Sequence, residues 1–299
     1  MYKHRHVFFD CEATSNKPLE AHVISLGSQV TEYDGKSFQP IDNHGFHSFV
    51  KTDKHSDDAA QAVHKITRDK LERAPRFPEV VEQWKSYLRP YMADDVRFVL
   101  TGHNAMGFDI PALFCNFVRN RLDFEHFLRD IRCVGFVDTL PMLRKLFSTQ
   151  PKEARPHDPQ TKKEQYTLGS CYMTLCNAKD TEGAHDALFD SKMLVSVCNS
   201  QSVCKILNSA KLFSFLLKRD VAMKKVKNNA GPLFASTQRV AQSQPAAPVE
   251  LTNQPVWDAE RRFCLNCVSF TDHDRCQVSL RAVKRPLEET DNNDMAESK

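Results

Sequence analysis

Residues 6–18 read HVFFDCEATSNKP, an apolar run that closes on two carboxylates two positions apart, Asp10 and Glu12. Val and Phe favour the pleated, half-buried surface of a strand, and side chains alternate faces along it. Asp10 and Glu12 therefore project to one side, while Phe9 and Cys11 turn to the other, into a core. Two like charges on one face repel unless a cation stands between them, and hard divalent cations prefer carboxylate oxygens. Alone, the triplet is a weak signal: with Asp and Glu at roughly 6% each, Asp-x-Glu arises about once by chance in a chain this size, and a solvated strand end would account for it. Cys11 makes a poor nucleophile here, because flanking carboxylates raise a thiol's pKa.

Outward from this stretch, HVISLGSQV (22–30) and GFHSFVK (45–51) are further β-type runs, spaced as in an antiparallel meander. Residues 57–74 and 78–92 carry apolar residues at helical spacing, the second opening on Pro78, which suits a first helical turn. VRFVL (96–100) predicts a fourth strand leading into a helix within 101–122, and VGFVDTL (134–140) a fifth. A polar insertion (149–165), two helical stretches (166–176 and 185–200) and a helix-rich end with the basic run KRDVAMKKVK (218–227) follow. Consecutive strands followed by strands alternating with helices predict an α/β architecture, a mixed five-stranded sheet flanked by helices.

Composition changes near residue 220. The expected domains are residues 1–220 for the α/β fold, 221–256 for a basic end and flexible Pro/Ala/Gln/Ser-rich linker, and 257–299 for a short Cys/His segment with an acidic tail, a C-terminal extension that is largely disordered. Cys264, Cys267, His273 and Cys276 form C-x2-C-x5-H-x2-C, a spacing that could close a tetrahedral zinc site or leave unliganded thiols. The extension could also recruit protein partners. In the basic run, Lys218, Arg219, Lys224, Lys225 and Lys227 either grip a nucleic-acid backbone or form a solvated helix end or nuclear signal.

The 41 Lys+Arg against 38 Asp+Glu leave a net charge of only +3, so the whole-molecule field is too weak to name a partner. Ten cysteines spread over 299 residues, without an N-terminal apolar signal segment, predict reduced thiols in an intracellular compartment, nucleus or cytoplasm. No apolar run approaches the roughly 18–20 residues of a membrane span, so no membrane partner is expected.

Two later segments continue the carboxylate pattern. LTGHNAMGFDIPALF (100–114) puts His103, Asn104, Phe108 and Asp109 after a strand and at a helix start, and GAHDALFDSKML (183–194) puts His185 five residues before Asp190. Positions five apart on one helix lie about 140° apart and converge poorly, so His185 is expected in the loop ahead of the helix, a placement Gly183 permits, with Asp186 as the helix N-cap. Asp138 in VDTL reads as a second cap.

Taken in order, Asp10, Glu12, Asp109, His185 and Asp190 resemble the motifs of the DEDDh 3′–5′ exonucleases, the proofreading-subunit and ribonuclease T type of the ribonuclease H-like fold. FFDCEATSNKP is similar to that family's first motif, GHNAMGFDIPAL to its second and HDALFDSKML to its third, with softer echoes in VISLGSQV, AVHKIT, FVDTLPMLR and YTLGSCY. The resemblance covers about residues 4–200. It departs at Ala13, Thr14 and Ser15, where many members have Thr-Thr-Gly, and at Lys192, where many have a small residue.

The resemblance implies a divalent-metal-dependent hydrolase that releases nucleoside 5′-monophosphates from DNA or RNA 3′ ends, using two Mg²⁺ or Mn²⁺ ions. It implies that Asp10 bridges the ions, that Glu12 and Asp190 support the one that activates water, that Asp109 reaches the other, and that His185 is the general base. Ala13 and Thr14 would contact the 3′-terminal nucleotide. Asn104 and His103 either touch the scissile nucleotide or tie the strand end to its neighbour; Phe108 either stacks on a base or joins the core. Physically, two divalent ions about 3.5–4 Å apart generate the nucleophile and spread the developing charge, and an imidazole with a pKa near 6.5 can accept water's proton. Two other readings remain open: a catalytically weak nucleic-acid-binding or interaction module keeping the fold, and a phosphodiesterase acting on small nucleotides.

Overall fold

The run that opens with His6-Val7-Phe8-Phe9 is the middle of the first and central strand, β1 (Lys3–Ala13). It pairs antiparallel with β2 (Val23–Tyr33), Asp10 opposite Gly27 and Glu12 opposite Ser25, and parallel with β5 (Val96–Gly102), Lys3 opposite Val96 through Phe8 opposite Thr101. The computed structural model describes residues 2–231 and three two-residue strands beyond them. The sheet runs β3-β2-β1-β5-β6-β7, with β4 (Phe46–Phe49) also paired to β2; β3 is Phe38–Pro40, β6 Cys133–Asp138 and β7 Leu217–Lys218.

The sheet therefore has seven strands where five are expected from sequence. The two additions, β3 and β7, are three and two residues long, too short to carry a period-2 pattern, and only their pairing to β2 and β6 makes them strands.

Eleven α-helices among the described residues complete the fold. The first five are α1 (Asp58–His64), α2 (Arg68–Glu72), α3 (Phe77–Leu88), α4 (Asp109–Arg119) and α5 (Phe124–Asp130). Then come α6 (Thr139–Phe147), α7 (Leu168–Leu175), α8 (Ala187–Cys198), α9 (Gln201–Ile206), α10 (Ser209–Ser214) and α11 (Arg219–Ala230).

Alternation along β1 divides the core in two. Val7, Phe9 and Cys11 pack with Trp84, Phe117 and Phe127 of α3, α4 and α5, while Phe8 packs with Val99, Val137 and the helices α6 to α9 on the other face. Aromatic contacts dominate the first layer, with Trp84 stacked on Phe127 at 5.3 Å and Phe117 tilted on Phe124 at 4.7 Å, each such pair adding about 0.5–1.5 kcal/mol beyond area burial.

Asp10 and Glu12 continue the Phe8 face past the end of the apolar run, where α8 crosses β1 and β2. Residues 221–230, which composition groups with the linker, continue α11 instead, because Ala222, Met223, Val226 and Ala230 form a buried stripe against the first core layer. Arg219 and Lys227 of the basic run are tied to the fold, Arg219 to the Cys133 carbonyl and Lys227 to Glu125.

The C-terminal unit is described by three antiparallel strands, Trp257–Asp258, Phe263–Cys264 and Ser269–Phe270, in the order third-second-first. The linker expected over 232–256 and the candidate zinc ligands Cys267, His273 and Cys276 lie outside the described residues, as does the side chain of Cys264. No helix among the described residues is long and apolar enough to cross a membrane.

Candidate functional site

The carboxylates meet because three elements, β1, α4 and α8, converge near the C-terminal end of β1. Asp10 and Glu12 lie on one face of β1, and Asp109 begins α4 after the loop that follows β5. Asp190 sits in the first turn of α8. Asp109 is fixed directly to the first motif: its Oδ1 accepts from the Cys11 backbone N–H at 3.1 Å. The N–H of Cys11 thus serves the site, while its thiol faces the core with its pKa pushed well up by burial.

α8 reaches β1 through a feature of β2. Gly27, opposite Asp10, lies so close to the first turn of α8 that a Cβ there would come within 2.2 Å of the Ala187 carbonyl carbon and the Leu188 nitrogen. Only glycine admits this approach. The helix start is capped as expected, Asp186 Oδ1 accepting from the N–H groups of Leu188 at 3.1 Å and Phe189 at 2.9 Å. His47 on β4 braces the cap, its Nε2 lying 3.0 Å from Ser25 Oγ and 3.8 Å from Asp186 Oδ2.

His185 stands in the loop ahead of α8, with φ of 69°, and Gly183 two residues earlier has φ of 91°. Its backbone N–H donates to Asp190 Oδ2 at 3.0 Å. The ring is exposed, and ligand atoms of His185, Glu12 and Asp190 all lie within 4.8 Å of one another, a group able to hold a metal ion. Asp10 and Asp109 stand outside that triad but share its electrostatics.

Burial and mutual repulsion keep all four carboxyls protonated to unusually high pH. Burial first, then Asp109, Asp190 and Glu12, push Asp10 well above the ordinary carboxylate range. Burial and Asp190 push Glu12 up to about 8. Asp109 rises to about 7 and Asp190 to about 6, again chiefly by burial, each partly offset by a backbone N–H. Burial and other carboxylates are the chief causes of the upward shifts. Oxygen-rich and desolvated, the site fits divalent metal ions in the chemistry of its donors. His185 is shifted the opposite way, below its ordinary 6.5, by burial and by Lys65.

The remaining sequence candidates divide. Thr14 is buried, its hydroxyl accepts from His22 N–H at 3.0 Å and both its backbone groups are bonded, to His22 O and Asp57 N–H, so it shapes the loop after β1 instead of presenting a free hydroxyl. Ala13, at the irregularity ending the β1–β2 ladder, is likewise buried. Asn104 is exposed with φ of 58°, a left-handed conformation that Asn tolerates, and lines a groove of about 680 Å³ with His103, Leu140, Arg144 and Tyr166. His103 is structural, bonding Thr139 Oγ1 at 3.0 Å and the Tyr166 carbonyl at 2.7 Å. Phe108 precedes α4, half-buried and outside both core layers. Asp138 caps α6 and also accepts from Met106 N–H at 3.0 Å, holding the loop before Asp109.

Two positioning residues escape a motif reading. Gly27 could have been suspected, since an isolated glycine inside a strand pattern signals a close backbone approach. Asn116 gives no such signal: buried in α4, its amide donates to Ala21 O at 3.0 Å and Ala112 O at 2.8 Å and accepts from Val23 N–H at 3.2 Å, locking the Asp109 helix to the start of β2.

Residues 7–198 match the RNase T exonuclease family. Among solved structures, Escherichia coli exonuclease I in complex with a dA16 oligonucleotide aligns at 16% identity and a TM-score of 0.53, over 71% of this chain and 43% of that one. A 3′-exonuclease described in 3′-end-specific recognition of histone mRNA stem-loop aligns at 16% identity and a TM-score of 0.48, over 67% of this chain and 81% of that one. The chain spans less than half the length of exonuclease I, and the likeness to it is one of fold. No curated protein is similar to the chain in sequence. With the matched span covering all three carboxylate segments and well over half of the sequence, the chain belongs to the RNase T exonuclease family.

Proposed function

We propose that the protein is a divalent-metal-dependent 3′–5′ exonuclease that releases nucleoside 5′-monophosphates from nucleic-acid ends. The observation that carries this reading is the meeting of the desolvated carboxyls of Asp10, Glu12, Asp109 and Asp190 with His185, whose ring lies close enough to Glu12 and Asp190 for the three to hold one metal ion. Asp10, Glu12, Asp109 and Asp190 would hold the ions, Mg²⁺ or Mn²⁺. When bound, the ions supply a nucleophile from water near neutral pH and neutralise charge on the phosphate.

The chain's own residues supply placement and proton traffic. Gly27 and the capped start of α8 hold Asp190 against β1, and the Cys11 N–H orients Asp109. His185, with its pKa lowered, is neutral at cellular pH and accepts the proton of the attacking water at a ring nitrogen. The groove lined by Asn104 and Arg144 offers polar side chains to a bound strand, and half-buried Phe108, next to Asp109, can stack on a base.

The test incubates 5′-labelled DNA and RNA oligonucleotides with Mg²⁺ or Mn²⁺ and compares wild type with Asp10→Ala and His185→Ala. Stepwise shortening from the 3′ end by wild type alone supports the reading. Intact 3′ ends with wild type, or variants that cut as fast as it does, overturn it.

A further inference from the structure

At the end of the sheet opposite the carboxylates, the starts of the parallel strands β5 and β6 border a hollow of about 380 Å³ lined by Arg97, Arg129, Arg132, Arg219, Asp94 and Cys133. Four guanidinium groups from four segments converge there: Arg97 from β5, Arg129 from the last turn of α5, Arg132 from the α5–β6 turn, and Arg219 from the start of α11. One carboxylate, Asp94, shares the lining.

Three of these side chains are held by the backbone. Arg132 donates to the Ala93 carbonyl at 2.5 Å, and its own backbone takes a left-handed φ of 55°, a conformation that costs an L-residue energy. Arg97 donates through Nη1 alone, to the carbonyls of Asp94 at 2.9 Å and Val96 at 2.7 Å, and lies 3.8 Å over the Tyr2 ring. Arg219 donates to the Cys133 carbonyl at 3.3 Å.

The carboxylates that pair with them, Asp94, Asp123 and Asp220, are 103%, 65% and 86% exposed. Ion pairs that open to water are worth little and exchange readily for a stronger acceptor. Guanidinium forks facing one hollow match the oxygens of a phosphate group, which they can bind in bidentate fashion.

We propose that this hollow is a second phosphate-binding site, which holds the sugar–phosphate backbone of a nucleic-acid strand away from the cleavage pocket. The choice of a strand over a free phosphate rests on the exonuclease reading, which supplies a polymeric substrate. The hollow lies roughly 20 Å from the carboxylates along β5, from about 3.3 Å per strand residue, so a strand of a few nucleotides in the pocket cannot reach it and a longer one can.

The experiment measures binding by fluorescence anisotropy in EDTA, with the full chain and oligonucleotides of about 3 and about 20 nucleotides, the shorter spanning only about 10 Å at about 3.4 Å per stacked nucleotide, across a salt series. In Arg97→Ala/Arg129→Ala the longer oligonucleotide is expected to bind about tenfold more weakly, with a log–log salt slope shallower by about 1.4, from about 0.7 per single-strand phosphate contact. The shorter one is unaffected, and Arg97→Lys/Arg129→Lys recovers part of the loss. Arg129→Ala alone removes one exposed side chain, leaves the fold intact and shows a smaller loss in the same direction.

Unchanged affinity for the longer oligonucleotide in both alanine variants overturns the proposal. So does an arginine-dependent thermal stabilisation by inorganic phosphate without arginine-dependent oligonucleotide binding, which would assign the hollow to small phosphates. Failure of wild type to shorten 3′ ends would sink the exonuclease reading and leave this binding readout standing; arginine-independent binding with normal shortening would do the reverse.

Discussion

Glu12→Gln is expected to stabilise the metal-free protein at pH 8 while removing its response to metal. Burial and neighbouring carboxylates raise Glu12 from an ordinary 4.5 to about 8. A carboxyl whose pKa is raised by folding weakens the folded state as pH climbs from its unfolded pKa, and the loss is complete once pH passes the folded value. At about 1.4 kcal/mol per pKa unit, the interval from 4.5 to about 8 corresponds to roughly 4 kcal/mol of destabilisation at pH 8, and roughly 1 kcal/mol at pH 5.

Glutamine keeps the shape and cannot ionise, but burying its amide costs about 1–3 kcal/mol. The net expectation is a gain of about 1–3 kcal/mol at pH 8 and a loss of up to about 2 kcal/mol at pH 5. For a folded unit of this size, each kcal/mol moves Tm by about 2–4 °C. Thermal melts in EDTA at both pH values, repeated with Mn²⁺, read the result. Wild type should gain Tm on adding Mn²⁺ at pH 8 and the variant little. A variant that melts equally far below wild type at both pH values would refute the argument that uncompensated carboxylates strain this pocket.

Three further outcomes follow from the geometry. Gly27→Ala drives a methyl into the Ala187–Leu188 backbone and should cost at least about 3 kcal/mol by overpacking, seen as a lower Tm, with oligonucleotide shortening falling further than the change in melting explains because Asp190 moves off β1. Asn116→Ala strips three buried hydrogen bonds and should destabilise by about 2–4 kcal/mol in urea unfolding; a change under 0.5 kcal/mol would contradict the role given to it. For His185, the wild-type cleavage rate should rise with pH through a pKa below 6.5 and then level, since the neutral ring is the active form. His185→Gln should lose that rise together with about 10²–10⁴-fold in single-turnover rate, and a variant keeping the same pH limb would remove His185 from the proton step.

Much of this arrangement is legible in the chain. The alternation in β1 announces which side of the strand carries Asp10 and Glu12, and the spacing of His185 and Asp190 already requires a break ahead of α8. Short range explains that success: a strand's period and a helix's cap are local properties. Strands β3 and β7 and the last turns of α11 are not legible, since two or three residues carry no period and a buried stripe among lysines is visible only once there is a core to bury it.

By itself, the sequence determined the α/β class, the order of the three carboxylate segments and the chemistry they can perform, because residue type and local periodicity fix which groups a strand end or a helix start presents. The tertiary structure alone decided how closely those segments meet. Thr14 is spent on the fold, Gly27 lets α8 reach β1, Asn116 clamps α4, and four arginines from distant positions face one hollow. Each of these depends on contacts between residues tens to well over a hundred positions apart, where no local pattern in the chain records which backbone will lie against which.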